Sequence, residues 1–74
     1  MSSLGNELKK ARQILHLSLR EVEEMSGVSN AYISFIETGK QPYPHPNILR
    51  KLAIVYGLSM EYLMEKAGYL EEDN

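Results

Sequence analysis

The stretch LSLREVEEMSGVSNAYISFIETGK, residues 17–40, decides the fold of this chain. Ser18 followed three residues later by Glu21 has the spacing of a capping box, in which each side chain accepts a hydrogen bond from the other residue's backbone amide. A helix therefore opens at Ser18, with Val22 and Met25 expected on its inward side. Gly27 ends it, because a residue without a β-carbon enters the left-handed conformation at little cost. Val28 follows as a single apolar plug, and Ser29 is placed to cap the next helix. Ile33 and Ile36 define the buried side of that helix, and Gly39 stops it. Two short helices, about 18–26 and about 30–38, thus share one apolar seam.

Outward from this pair the same period continues. Leu4, Leu8, Ala11 and Leu15 fall on one face of a preceding helix. After Gly39, Pro42, Pro44 and Pro46 at alternate positions forbid helix and keep the chain extended. Pro46 fits the first position of a fourth helix, where its missing N–H costs nothing, and His45 precedes it as an N-cap or loop residue. Leu49, Leu52, Ala53 and Tyr56 carry that helix to Gly57. Ser59 caps a fifth, bearing Leu63 and Ala67 and ending at Gly68, with Tyr69 and Leu70 placed to pack back. No segment alternates with period two, so the fold class is all-α, five short helices over residues 1–70 with an acidic tail at 71–74.

Length and composition narrow the function. Seventy-four residues allow one compact unit, which buries only about 60% of its unfolded surface. With 43% apolar residues a small helical core can form without a cofactor or metal staple. The chain has no cysteine, and His16 and His45 lack the spacing of a zinc pair, so no metal site is expected. No apolar run approaches the roughly 18 residues of a membrane span, and MSSLGNELKK lacks the order of a secretory signal. A soluble cytoplasmic protein is expected. The net charge of −2 argues against a strongly basic partner-binding surface, but Glu71, Glu72 and Asp73 account for it, leaving eight basic against seven acidic side chains. Glu21, Glu23 and Glu24 form a second acidic cluster, so the rest of the body is locally positive and bulk charge does not decide about nucleic acid. There is no Ser-His-Asp set, carboxylate pair in a cleft, glycine-rich phosphate loop or evident small-molecule site, and an enzyme is not expected.

The motifs LKKAR (8–12), LSLREV (17–22), GVSNAYISFIETGK (27–40), ILRKLA (48–53) and GLSMEYL (57–63) stand in one uninterrupted register. Together they resemble the helix-turn-helix domains of lambdoid phage repressors and Cro proteins, the Xre family. The resemblance implies a five-helix, lambda-repressor-like domain that binds double-stranded DNA as a homodimer on a palindromic operator. Its third helix would lie in the major groove, and its role would be a transcriptional regulator, usually a repressor. With Ile33 and Ile36 inward, 100° per residue turns Ala31, Ser34, Phe35 and Thr38 outward and leaves Asn30 on the flank. Asn30 can pair with an adenine edge and Ser34 with almost any base, while Ala31 and Phe35 suit thymine methyls. Arg20, Ser29, Tyr32 and Lys40 are the phosphate candidates, with Lys9 and Lys10 weaker ones, aided by the helix starts at residues 18 and 29. By the same resemblance Arg12 and Glu37 form an ion pair that sets the tilt of the third helix.

Two positions depart from the family pattern. Leu19 stands where glutamine is common, so no phosphate role is assigned to it. Glu23 stands where a small residue is usual, and must bend to solvent or find a partner, Lys40 or Arg20. Other residues have plainer readings beside the functional ones. Phe35 can pack on the fourth helix and Asn30 can serve as a cap. Met25, Met60 and Met64 read as gap-filling core or interface. Tyr62, Leu63, Tyr69 and Leu70 are either core or a subunit interface. A different function is also compatible: a protein-interaction module that has lost DNA binding, or an antitoxin or restriction-controller protein that adds a protein partner.

Overall fold

Ser18 Oγ accepts from the Glu21 amide at 3.0 Å while the Glu21 carboxylate accepts from the Ser18 amide at 2.8 Å. Helix α2 (Leu19–Ser26) opens on this box. The computed structural model describes residues 3–68, and the acidic tail, Tyr69 and Leu70 lie outside them. Among the described residues there are five helices and no strand: α1 (Ser3–Ile14), α2, α3 (Asn30–Thr38), α4 (Pro46–Tyr56) and α5 (Met60–Lys66). Ser29 Oγ and Ser59 Oγ cap α3 and α5 by accepting from the Tyr32 and Tyr62 amides at 3.2 and 3.0 Å. His45 caps α4 with its ring, Nδ1 accepting from the Asn47 amide at 3.0 Å.

The expected seam is the centre of the core. Val22, Val28, Ile33 and Ile36 meet Leu49 and Leu52, all at most 4% exposed. α1 packs on α3 and α5, α2 on α3 and α4, and α4 on α5. Leu4 and Leu8 seal one side, with Leu63 and Ala67 on another. Leu63 is therefore core: it is fully buried within its own chain and has no surface left for a subunit interface, which corrects one of its two readings.

Two apolar residues expected inside lie outside. α1 stops at Ile14, and His16 adopts a left-handed backbone (φ 57°) whose turn lets the His16 and Leu17 amides bond Gln13 and Arg12 carbonyls at 3.0 and 3.1 Å. That turn swings Leu15 out to 45% exposure, and Leu17 packs on the core instead. Met25 is 58% exposed: it is rotated about 60° from Val22, enough on so short a helix to leave the seam. Met60 and Met64 do pack against the core.

One close approach sets the height of α3. A β-carbon at Gly5 would fall 2.5 Å from the Ile36 carbonyl oxygen and 2.8 Å from that of Glu37. Any other residue there would push α1 off the C-terminal end of α3.

Candidate nucleic-acid interface

The C-terminal end of α3 is clamped from behind. Arg12 Nε donates to Glu37 Oε2 at 2.8 Å and Arg12 Nη2 to Oε1 at 2.9 Å, a planar two-pronged pair, while Nη1 donates to the Leu17 carbonyl at 3.0 Å. The two side chains are only 14% and 5% exposed. The hydrogen bond to Glu37 raises the Arg12 pKa further above its already high value, so the guanidinium keeps its charge. Tyr56 lies beside this pair, its hydroxyl buried without a hydrogen-bond partner. Burial first, then the Glu37 carboxylate, push its pKa up to about 12, with Arg12 opposing. The expected ion pair is therefore present, and it spends the one acidic side chain of α3 on the interior.

What remains on the other side of α3 carries no charge of its own. Asn30, Ala31, Phe35 and Thr38 are exposed and Ser34 is half-buried. Phe35 stands 45% open, outside the core cluster. Thr38 turns its hydroxyl back onto its own helix, donating to the Ser34 carbonyl at 3.0 Å, so only its methyl and an oxygen lone pair face outward. Lys40 Nζ sits 5.6 Å from the Phe35 ring centroid, placing a cation at one end of the face. Ser29 is exposed at the opposite end, and Tyr32 is half-buried beside it. Arg20 is exposed on α2 and forms no ion pair among the described residues. Three of the four phosphate candidates thus lie on α3 or adjoin it, and the fourth, Arg20, lies on α2.

Glu23 corrects the sequence reading. Its partner is neither Lys40 nor Arg20: Glu23 Oε1 accepts from Asn30 Nδ2 at 2.6 Å and from the Asn30 backbone amide at 3.1 Å. The turn at Gly27 (φ 83°) folds the start of α3 back alongside the last turn of α2, and that brings position 30 within reach of position 23. Asn30 therefore caps nothing itself: Glu23 takes its first-turn amide, and the Asn30 side chain stays exposed. The close approach at Gly5 leaves no signal in the sequence, since a glycine inside a helical pattern gives no hint of what crosses it.

At the other candidate surface, Tyr62 is half-buried and its hydroxyl donates to Glu7 Oε1 at 2.7 Å, which raises its pKa. Lys66 Nζ lies 5.4 Å from the same ring. A groove of about 340 Å³ runs here between α1 and the α4–α5 turn, lined by Glu7, Lys10, Ala11, Ile14, Leu58 and Tyr62, with no residue of α3 in it. Among the described residues no cluster of His, Cys, Asp or Glu could hold a metal ion, and no helix is long and apolar enough to cross a membrane.

Two helices crossing at a glycine turn, the second with an open uncharged side and a locked inner side, define a helix-turn-helix protein. The chain belongs to the Helix-turn-helix family, whose pattern it matches over residues 8–63. It is 43% identical over 72 residues to the HTH-type transcriptional repressor RghR of Bacillus subtilis strain 168, covering 97% of this chain and 53% of that protein. It is 38% identical to the HTH-type transcriptional regulator RghRB of the same organism, covering 96% and 51%. Its fold matches the N-terminal DNA binding domain of SinR from Bacillus subtilis with a TM-score of 0.80 at 31% identity, covering 86% of this chain and 93% of that one. The chain spans about half the length of the curated relatives it matches.

Proposed function

We propose that this chain binds double-stranded DNA in a sequence-specific manner, laying α3 in the major groove, and that it acts as a transcriptional regulator, a repressor in the first instance. The observation that carries this reading is the two-sided character of α3. Its acidic residue is buried against Arg12, and its outer side is an uncharged strip of groove-compatible side chains ending at Lys40. Likeness to a transcriptional repressor and to the DNA binding domain of SinR supports it.

In this reading Asn30, Ala31, Ser34, Phe35 and Thr38 meet base edges, through hydrogen bonds at Asn30 and Ser34 and apolar contact at Ala31, Phe35 and the Thr38 methyl. Ser29, Tyr32, Lys40 and Arg20 meet phosphates, together with the amides at the N-termini of α2 and α3. Tyr62, with Tyr69 and Leu70, is the remaining candidate for contact between two copies on a palindromic site. The cytoplasm is the compartment such a function requires.

A mobility-shift assay on random duplex DNA tests the reading. Binding should weaken steeply between about 50 and 200 mM salt, because each neutralised phosphate releases counterions. Lys40→Ala should weaken binding to all sequences alike and flatten the salt slope by about one. No binding at micromolar protein in low salt would favour the protein-interaction module instead.

A further inference from the structure

We infer that Glu23 sets a base preference of this domain: by holding the amide end of the Asn30 side chain, it makes Asn30 select adenine over guanine. The inference rests on Asn30 meeting a base edge, as proposed above. A carboxylate oxygen only accepts, so the end of the carboxamide 2.6 Å from Glu23 Oε1 must be the NH₂ group, since a flipped amide would set two oxygens against each other. The same oxygen also takes the Asn30 backbone amide at 3.1 Å, which fixes where it sits relative to the start of α3. The carboxamide is therefore held in one orientation before any DNA arrives.

That orientation leaves one acceptor, Oδ1, and one N–H donor for a partner. Adenine offers the complement in the major groove, an N6 donor beside an N7 acceptor. Guanine offers two acceptors, N7 and O6, and needs two donors. A free carboxamide could turn its whole NH₂ group toward guanine. The tethered one does so only by giving up its bond to Glu23, and the Glu23 carboxylate adds negative charge next to those two acceptors. Glu23 is thus a positioning residue acting through Asn30, and its place on α2, seven residues before Asn30 across the Gly27 turn, is what makes the tether possible.

Selection of binding sites from a random duplex pool, with the wild type, Asn30→Ala, Glu23→Ala and Glu23→Gln compared, tests this. The wild type should select adenine at one position of the site. Glu23→Ala should lower the adenine-over-guanine preference there by roughly three- to five-fold, with the melting temperature nearly unchanged. Glu23→Gln keeps an acceptor oxygen and should keep the preference, although both variants remove a negative charge and should bind all duplexes more tightly. Preference intact in Glu23→Ala but lost in Asn30→Ala would overturn the inference and leave Asn30 as the base contact. Selected sites indifferent to Asn30→Ala would overturn the reading beneath it. Should Glu23→Ala lose helix content, Glu23→Leu, a strong helix former without an acceptor, carries the same expected loss, and retained preference there would overturn the inference equally.

Discussion

α3 is held at both ends by a carboxylate, yet the two tethers have opposite characters. At the C-terminal end Glu37 meets Arg12 through two hydrogen bonds in a nearly dry setting, with Gly5 and the Tyr56 hydroxyl packed close by. At the N-terminal end Glu23 meets Asn30 in the open. Low exposure makes the first a structural clamp, since losing one partner leaves the other charge poorly solvated. Exposure makes the second nearly neutral for stability, which frees it to orient an outward-facing side chain. The same chemistry thus anchors the helix at one end and tunes its surface at the other.

The contrast can be broken most severely at the buried end. Arg12→Ala should destabilise the fold by about 3–5 kcal/mol in urea or guanidinium unfolding. A loss below about 1 kcal/mol would mean the clamp behaves like a surface pair. Tyr56 reports on the same end through pH. Its folded-state pKa, about 12, lies above the ordinary value of 10.0. Above pH 10 the unfolded chain therefore ionises first, and stability present below that pH is lost as pH rises toward 12. Tyr56→Phe should remove roughly 2–3 kcal/mol of that alkaline loss while changing little at neutral pH, where it deletes only an unpartnered hydroxyl. Identical alkaline profiles for wild type and variant would contradict the burial of that group. Gly5→Ala should cost about 1–3 kcal/mol through forced separation of α1 and α3, measured by thermal melting. The smallest effect belongs to the open end: Glu23→Ala should change stability by less than about 1 kcal/mol. A larger loss would erase the distinction between the two tethers.

The elements were legible in the sequence because their signals are local. Ser18 with Glu21, Ser29, Pro46 and Ser59 mark helix starts, and the period of Ile33, Ile36, Leu49 and Leu52 marks the buried sides. The outward set on α3 followed from the same geometry once Ile33 and Ile36 faced inward. Leu15 failed because the last apolar residue of a helical period lies where a left-handed His16 turns the chain, and a histidine in that conformation leaves no compositional trace. The alternative for Leu63 could not be settled by pattern, since a period marks an apolar face without saying whether the same chain or another covers it. Glu23 was recognised as out of place, but its partner depended on how closely the Gly27 turn folds α2 and α3 together. Charge led toward Lys40 and Arg20, whereas proximity selected an uncharged donor.

Whether the outer side of α3 meets base edges is read most directly by NMR titration of the labelled protein with a selected duplex. The backbone amides of Asn30, Ala31, Ser34, Phe35 and Lys40 should shift on binding while those of Leu8, Leu52 and Leu63 stay in place. Shifts confined to α1, the α4–α5 turn and Tyr62, with α3 silent, would contradict it.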